Sequence, residues 1–439
     1  MKIYNTLSRE KEEFVPIKKG RVGIYSCGPT VNGVPHLGHA RNTISFDVLR
    51  RYLKFIGYKV KFVSNITDID DKIINTANEA GVSIEEFSEK NMVAHAEDYA
   101  ALNVKKPDVQ PRATEYVEQM VKLVKKLEKK GFTYTIENDG VYYDISKFGE
   151  YGKLSHQKVG DLQGGKRVKV KDEKKNNGDF VLWKFAKSGE PSWDSPWGKG
   201  RPGWHIECSA MTESILGVPF DIHCGGADLI FPHHENEIAL SETAYDKTMA
   251  NYWVHNGMVN VDGTKMGKSL NNFKTIRDLL GKYDPMVIRY FVVSNQYRKP
   301  ADFSETALED AKNSYERLKT NVRRIDDDGE MNDDYIEQFK KEMDDDLNTP
   351  RALAVLWKLI RDKNATGKLG AIRKMDEVFG LELEEGEMKI PADVAAIVEE
   401  RNVARMEKDW KKSDDLRNKL KIMGWIVKDV GDGWEIEKR

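Results

Sequence analysis

Residues 21–39 read RVGIYSCGPTVNGVPHLGH, and the architecture follows from this stretch. Its first seven residues are β-prone and alternate in polarity, which favours a strand that the Gly-Pro pair at 28–29 ends. A helical pattern then covers about 37–58, and KVKFVS at 59–64 predicts a second strand. A strand, a turn, a helix and a strand in this order favour a parallel sheet with a right-handed crossover.

The pattern changes twice along the rest of the chain. Residues 98–205 are irregular and rich in Gly, Lys and aromatic residues towards their end, so we expect an insertion into the sheet. Residues 256–303 connect the α/β domain to the C-terminal part of the chain. Strand signals nearly vanish after residue 303, which predicts a helical bundle over 304–390. A small α/β unit with a strand-turn-strand tail is predicted over 391–439.

Composition narrows the class of protein. The chain has 439 residues, a formal net charge of −2 and a charged fraction of 32%. No apolar run approaches the ~20 residues that span a bilayer, and the start, MKIYNTLSREKEEF, has no apolar signal-peptide region. Three cysteines cannot form a disulfide framework. We therefore expect a cytoplasmic protein without a membrane partner.

The turn between the first strand and the first helix is suited to phosphate. Small residues such as Gly28 let a ligand approach the backbone, and a helix N-terminus offers unpaired N–H groups. His36 and His39 are three residues apart, so both can project from one side of the first turn and donate hydrogen bonds to a polyphosphate. Metal ligation and surface packing are rival interpretations of this pair.

A second candidate lies downstream, where Lys265 and Lys268 flank a glycine in KMGKS at 265–269. Lysines on a mobile loop can close over a pyrophosphate leaving group and neutralise it. Lys-rich loops are common, so this pattern alone is a weak signal.

A metal site can also be predicted from the residues. Cys27 follows the first strand and Cys208 lies near a helix start. His233 and His234 precede Glu237 by four and three residues in one helical segment, so either imidazole can lie on its face. Two thiolates, an imidazole and a carboxylate are a plausible zinc ligand set. The two cysteines have no CxxC spacing, so ordinary buried thiols are an equal alternative.

Both short motifs have the order and separation of one enzyme family. PHLGH at 35–39 and KMGKS at 265–269 resemble the HIGH and KMSKS signatures of class I aminoacyl-tRNA synthetases, with Gly267 in place of the usual Ser. Longer blocks are similar to the cysteinyl-tRNA synthetase family: YSCGPTVNGVPHLGHAR at 25–41, VSNITDIDDKII at 63–74, RPGWHIECSAM at 201–211 and GGADLIFPHHENEIA at 225–239. The resemblance covers nearly the whole chain.

The resemblance implies a class I Rossmann-like parallel sheet with an insertion, then a tRNA-binding helical bundle and a C-terminal anticodon-binding unit. It implies one zinc ion per chain, held by Cys27, Cys208, His233 and Glu237, with His234 outside the ligand set. Cys224 stands where the related motif usually has Gly, and we interpret it as a harmless small residue rather than a thiol that affects the metal.

The implied reaction joins L-cysteine to ATP, with Mg²⁺, and passes the acyl group from cysteinyl adenylate to tRNA(Cys). The residues to which the resemblance assigns catalysis are His36, His39, Lys265 and Lys268. Those to which it assigns substrate or ATP binding are Gly28, Thr67, Trp204, Asp228 and Lys268. For Thr67 and Trp204, a helix cap and a packed aromatic residue are the alternative interpretations.

The end of the chain contains ARMEKDWKKSDDLRNKLKIMGW at 404–425, which looks like the family's C-terminal signature. Its candidate RNA contacts are Arg405, Lys408, Lys412 and Arg417. No extra dimerisation segment is evident, so we expect a monomer.

Two rival functions share part of this pattern. A cysteine ligase of the same lineage, acting on an amino-sugar acceptor, would have both signatures and the metal set. A non-catalytic, zinc-stabilised RNA-binding protein would not need the histidine and lysine motifs.

Overall fold

The computed structural model describes residues 1–157, 173–266, 274–326, 329–384, 391–430 and 433–438. The chain forms two compact units, Met1–Leu383 and Glu384–Arg439. Among the described residues, no helix combines the length and the apolar character that a membrane span requires.

The strands, in chain order, are β1 Lys2–Asn5, β2 Glu10–Glu13, β3 Arg21–Ser26, β4 Lys59–Ser64, β5 Thr133–Ile136, β6 Gly140–Tyr143, β7 Phe180–Phe185, β8 Gly200–Pro202, β9 Phe220–Gly226, β10 Ala250–Asn256, β11 Val259–Val261, β12 Thr264–Lys265, β13 Ala301–Asp302, β14 Trp425–Val430 and β15 Gly433–Lys438. The α-helices are α1 Leu37–Phe55, α2 Asp71–Ala80, α3 Ile84–Ala101, α4 Val117–Lys129, α5 Trp204–Leu216, α6 Glu235–Tyr245, α7 Ile276–Leu280, α8 Pro285–Val293, α9 Glu305–Arg323, α10 Asp333–Met343, α11 Thr349–Arg361, α12 Lys368–Phe379, α13 Ala392–Met406 and α14 Trp410–Ile422.

The central sheet of the first unit has the strand order β10-β9-β3-β4, and every neighbouring pair is parallel. Helix α1 connects β3 to β4, as the sequence pattern predicts. Alternate residues of β3 enter two different cores because successive side chains point to opposite faces of a sheet. Val22 and Ile24 pack with α1, whereas Tyr25 packs with Val63 and Trp253 on the other side. The predicted parallel α/β sheet is confirmed.

A second, antiparallel sheet of order β5-β6-β7-β8 lies between β4 and β9 in the chain. Val141, Leu182 and Trp183 from this sheet are fully buried in one cluster with Met120 of α4 and Ile206 of α5. The sheet therefore packs against α5, the helix that also carries Cys208.

Helices α8 to α12 share one continuous apolar cluster with α1 and the inner face of the parallel sheet. Arg289 of α8 lies at the centre of this junction and its side chain is fully buried. It pairs with Asp47 of α1 at 2.6 Å. Its other N–H groups donate to the carbonyl oxygens of Phe379, Leu102 and Asn103. Four segments of the chain therefore meet at one guanidinium group.

The second unit contains α13, α14 and the antiparallel hairpin β14-β15. Val398, Leu420 and Trp425 belong to its own apolar core. The helical pattern over 391–422 is divided because Lys408 has a left-handed backbone, with φ of 60°. Asp409 then accepts a hydrogen bond from the Lys412 N–H and begins α14.

Candidate active site

Three chain segments meet where the central parallel strands end. Cys27 follows β3, Asn65 follows β4, and the turn that contains Asp228 follows β9. In open α/β sheets, ligands bind at this carboxyl edge because the loops that leave the strands converge there. The fold therefore gathers residues that are about two hundred positions apart in the sequence.

Gly28 is packed against the backbone of the neighbouring loop. Its N–H donates to Asn65 Oδ1 at 2.8 Å. A Cβ atom at this position would lie 1.6 Å from the Asn65 carbonyl oxygen, so only glycine fits. The close approach joins the β3 and β4 loops directly beside Cys27.

The two motif histidines lie at the start of α1 with their rings stacked at 3.8 Å. His36 Nδ1 accepts from the Gly38 N–H at 3.0 Å, and His39 Nδ1 accepts from the His36 N–H at 3.2 Å. When both imidazoles are neutral, their protons must then be on Nε2. Burial, together with His36 and His95, holds the pKa of His39 well below its ordinary value. The pair is thus arranged as two Nε2–H donors.

The described flanks of the KMGKS motif lie beside these histidines. Met266 lies next to Gly38, 3.9 Å from the position of a Cβ atom there. On the other flank, the Leu37 N–H donates to the Lys274 carbonyl oxygen at 3.2 Å, and the Ile276 N–H donates to Pro35. Residues 267–273, with Lys268, lie outside the described residues, as does the side chain of Lys265.

A buried group of potential metal ligands lies beside Gly28 and includes Cys27, the residue that precedes it. The ligand atoms of Cys27, Cys208, His233 and Glu237 all lie within 4.8 Å of one another. The two sulfur atoms are 3.8 Å apart, and Cys27 Sγ is 3.6 Å from Glu237 Oε1. Two thiolates at ~2.3 Å from a tetrahedral zinc ion would be separated by about 3.8 Å. The spacing and the soft donor set therefore fit a zinc ion.

A second set overlaps the first one, because Cys27 and Glu237 also lie close to His223 and His234. Cys27 Sγ is 3.2 Å from His234 Nε2. This set has one thiolate instead of two, so it is the harder set and suits zinc less well. The exclusion of His234 from the ligands stays a prediction.

Cys224 lies on the other face of the sheet. Its side chain is fully buried in the α1 core with Ile24 and Ile222, and Sγ donates to the Tyr25 carbonyl oxygen at 3.5 Å. Cys27 and Cys208 belong to the core on the opposite face. This placement agrees with the interpretation of Cys224 as a harmless small residue.

The electrostatics of the ligand group favour the charged forms of Cys208 and Glu237, whereas burial raises the pKa of the Cys27 thiol well above its ordinary value. The hydrogen bond from the Cys27 thiol lowers the pKa of Cys208 to about 6. Burial opposes ionisation of Glu237, but His223 and His233 hold the pKa of its carboxyl group well below the ordinary value. A thiolate and a carboxylate can therefore be available to a cation.

Two further histidines, His223 and His205, contact the ligand side chains Glu237 and His233. His223 Nε2 is 2.9 Å from Glu237 Oε2, and His205 Nδ1 is 3.0 Å from His233 Nδ1. These contacts use atoms on the far side of each ligand side chain, so they can fix its orientation. Sequence reasoning missed both residues. The signals were weak: His205 lies within GWHIEC and His223 within the buried strand FDIHCGG.

Three predicted substrate-binding residues lie around the same edge. Thr67 is 2% exposed, and its hydroxyl group donates to Glu207 Oε2 at 2.7 Å. Trp204, the first residue of α5, is 40% exposed and stacks on His233 at 4.2 Å. Asp228 is exposed in the turn after β9. Their roles stay predictions, and the contact to Glu207 was not foreseen.

Comparisons with known proteins match each part of the chain. Residues 13–313 match the family described as tRNA synthetases class I (C) catalytic domain. Residues 338–384 match the DALR domain, and residues 388–436 match the cysteinyl-tRNA ligase anticodon binding domain. The cysteine–tRNA ligase of Vibrio parahaemolyticus serotype O3:K6 is 47% identical over 99% of this chain and 98% of its own length. The chain belongs to the cysteine–tRNA ligase family. The cysteine–tRNA ligase of Francisella tularensis subsp. tularensis is 48% identical, with the same coverage.

Solved structures of other class I enzymes share the fold of this cysteine–tRNA ligase family member. Mycobacterium tuberculosis methionyl-tRNA synthetase with methionyl-adenylate has a TM-score of 0.59 and 16% identity, over 83% of this chain and 88% of that one. A LeuRS-tRNA-LeuAMS ternary complex from Agrobacterium radiobacter K84 has a TM-score of 0.62 and 10% identity, over 85% of each chain. The class I fold and the aminoacyl-tRNA ligase activity are confirmed. The comparisons give no support to the amino-sugar alternative.

Proposed function

We propose that this enzyme activates L-cysteine with ATP and transfers the cysteinyl group to tRNA(Cys). One observation carries the proposal: the paired thiols of Cys27 and Cys208 lie next to the loop that leads to the histidine pair. A site for a thiol-binding metal is thus adjacent to a site for phosphate. An enzyme that selects a thiol-containing amino acid and joins it to a nucleotide can use both.

The residues that would hold a zinc ion are Cys27, Cys208, His233 and Glu237. A zinc ion bound there would act as a Lewis acid and would coordinate the thiolate of the amino acid. This matters because cysteine and serine differ only by sulfur for oxygen, and a pocket's shape discriminates by only about 1–3 kcal/mol at this scale. Trp204 covers His233, and as a half-exposed aromatic side chain it can close against the substrate.

In the activation step, the substrate carboxylate attacks the α-phosphate of ATP and pyrophosphate leaves. His36 and His39 donate Nε2–H to the phosphate oxygens as charge develops, and Lys265 and Lys268 neutralise the leaving group. Mg²⁺ accompanies the ATP phosphates. Positioning and charge neutralisation, rather than a protein nucleophile, lower the barrier.

The transfer step requires recognition of tRNA. Arg405, Lys408, Lys412 and Arg417 lie on α13 and α14 or between them, and we assign them to contacts with the anticodon stem-loop. Residues 391–439 contain as many basic as acidic residues, so specific contacts rather than bulk attraction must discriminate. The monomeric state and the cytoplasmic location stay predictions.

The decisive experiment is ATP–pyrophosphate exchange with cysteine and with serine, followed by aminoacylation of tRNA(Cys). We expect exchange with cysteine alone, and transfer to the terminal adenosine of the tRNA. Exchange that is equal for both amino acids would contradict selection by a metal-bound thiolate. Transfer to an amino sugar instead of tRNA would contradict the assigned acceptor.

Replacing Lys268 by alanine should slow adenylate formation much more than it weakens cysteine binding. The reason is that contacts to a departing pyrophosphate exist only in the transition state, so their loss lowers kcat and leaves ground-state affinity nearly intact. Single-turnover kinetics of adenylate formation would measure the effect, and we expect a loss of about 10²–10³-fold. An unchanged exchange rate would remove Lys268 from the leaving-group site.

Deleting residues from Glu384 onward should spare cysteine activation and impair aminoacylation. The deleted part is a compact unit with its own core, and the phosphate and metal groups lie in the first unit. The two reactions should be measured on the same preparation, with circular dichroism as the control for folding. Normal charging of tRNA(Cys) by the folded truncated protein would refute the proposed RNA-binding role.

A further inference from the structure

Helix α3 contacts both of the chain segments that surround the start of α1, where the two motif histidines lie. Its residues His95 and Asp98 are three positions apart, so they lie on one face of the helix. His95 contacts the loop that leads to His36, and Asp98 contacts the segment that follows the KMGKS motif. Neither residue belongs to the two signature motifs, so their roles are not explained by them.

His95 donates a hydrogen bond to the loop before His36. Burial lowers the pKa of His95 to about 4, so its imidazole is neutral near pH 7. Nε2 lies 3.0 Å from the Gly33 carbonyl oxygen, which can only accept, and Nδ1 lies 3.0 Å from the Tyr99 hydroxyl oxygen. The proton is therefore on Nε2, and Nδ1 accepts from Tyr99. This bond ties the loop to α3 three residues before His36.

The segment after the KMGKS motif is paired with the residues around His36. Residues 274–276 and 35–37 form a short antiparallel bridge in which Thr275 lies opposite His36. Backbone hydrogen bonds of 3.2 and 3.0 Å close this bridge on the two sides of His36. The position of the His36 backbone therefore depends on the position of residues 274–276.

Arg277 connects this paired segment to α3. Its Nε–H donates to Asp98 Oδ1 at 3.1 Å, and its Nη2 lies 2.6 Å from Glu97 Oε2. The Asp98 side chain is 4% exposed, whereas the side chains of Arg277 and Glu97 are 49% and 63% exposed. Burial raises the pKa of Asp98 and Arg277 opposes this rise, but the Arg277 N–H can donate to Oδ1 in either protonation state. The buried contact of the guanidinium group is thus the one with Asp98.

The Asp98 carboxyl group is poorly compensated for a buried group. As far as the structure describes the chain, its second oxygen, Oδ2, is buried and has no hydrogen-bond partner. Burying a carboxyl group in this way costs folding free energy, so a contribution to stability does not account for Asp98. Its contact with Arg277, which directly follows the segment paired with His36, does account for it.

We infer that α3 is a common support for both segments around His36, and that Asp98 and Arg277 are positioning residues for His36 during adenylate formation. This inference rests on the proposed activation step. His95 holds the loop before His36, and the contact between Asp98 and Arg277 holds the segment opposite it. A displaced imidazole should slow the step, because stabilising charge requires a donor at hydrogen-bond distance from the place where that charge develops.

The test separates the two reaction steps in single turnovers of the full-length, zinc-loaded enzyme. Arg277→Ala should slow adenylate formation about tenfold or more, because small misplacements can cost as much as about 10²-fold. Transfer from preformed cysteinyl adenylate to tRNA(Cys) should change by less than about twofold, since pyrophosphate has already left. Zinc content and the Kd for cysteine should stay close to those of the unchanged enzyme. A merely structural defect would instead lower both rates in proportion, which would overturn the inference.

Glu97→Ala is the matched control, because it removes only the exposed partner of the same guanidinium group, and exposed pairs contribute little. Asp98→Ala should slow adenylate formation as Arg277→Ala does. The double variant should be no slower than the slower single variant, because both changes break one contact. An equal loss in Glu97→Ala, or a double variant whose loss is the product of the two single losses, would overturn the inference.

The imidazole nitrogen signals of His36 and His39, in nuclear magnetic resonance spectra of histidine-labelled protein, provide a readout that does not depend on the reaction. These signals should move in Arg277→Ala and stay in place in Glu97→Ala. Unchanged signals in both variants would contradict the positioning role. If the proposed function fails, the unchanged enzyme shows no cysteine-dependent adenylate formation, and the signals alone then decide whether Arg277 positions His36.

Discussion

Replacing Cys208 by serine should lower cysteine-dependent ATP–pyrophosphate exchange by at least about a hundredfold. Even the loss of an outer hydrogen bond to a metal ligand costs about 10–100-fold in affinity or activity, and Cys208→Ser removes a ligand itself. Serine is also a harder and much less acidic donor than the Cys208 thiol, whose pKa is already lowered to about 6 by Cys27. The zinc content of the purified protein should fall together with the activity.

The matched control is Cys224→Ala, which removes a thiol that is buried in the core on the other face of the sheet from Cys208. Zinc content and exchange should both stay near those of the unchanged enzyme. X-ray absorption at the zinc edge gives a second readout: adding cysteine should add one sulfur neighbour to the metal, and adding serine should add none. Full activity in Cys208→Ser, or an equal loss in Cys224→Ala, would contradict the ligand assignment.

The largest effect on stability is expected for Arg289→Met, at about 3–5 kcal/mol of unfolding free energy. The side chains of Arg289 and Asp47 are 0% and 1% exposed, so removing the cation leaves a buried carboxylate with less compensation. The substitution also removes the Arg289 donor from the buried carbonyl oxygens of Phe379 and Leu102, whereas the Asn103 carbonyl oxygen keeps a donor from Arg51.

The urea midpoint, followed by far-ultraviolet circular dichroism, would measure this loss. Arg112→Met is the control because the side chains of its ion pair with Glu89 are 39% and 48% exposed, and exposed pairs contribute little. Adding Asp47→Asn to Arg289→Met should not restore the stability, because Asp47 keeps its ion pair with Arg51 at 2.7 Å in the single variant and the second substitution removes that pair. Equal midpoints for the Arg289 and Arg112 variants would show that the junction is not a major source of stability.

The fold could be predicted from the sequence where local patterns are strong. The β3-α1-β4 unit follows from one alternating run, one Gly-Pro break and one helical period. The division between α13 and α14 could not be foreseen, because it depends on a left-handed backbone at Lys408, and lysine has no strong preference for that conformation. The meeting of four segments at Arg289 depends on contacts between residues far apart in sequence, which no local pattern encodes.

The residues of the candidate site also differ in how far they could be predicted from the sequence. Residues such as Cys27, His36 and Glu237 can be proposed from the sequence because they stand in motifs that carry the family resemblance, whereas their spacing alone leaves other interpretations open. Asn65 and Glu207 cannot, because a buried amide and a buried carboxyl group become informative only when their hydrogen-bond partners are known. The supporting residues therefore required the structure, although one of them directly precedes a predicted metal ligand.

The fit of Gly28 against Asn65 has a genetic consequence. A single-nucleotide change in a glycine codon that is not synonymous introduces a side chain or a stop, and even the smallest side chain would place a carbon atom 1.6 Å from a backbone oxygen. No amino-acid replacement at this codon can be accommodated by rotating a side chain, so the whole loop would have to move. In a saturation library selected for growth, this codon should tolerate only synonymous changes, and a suppressor would have to reshape the backbone after β4.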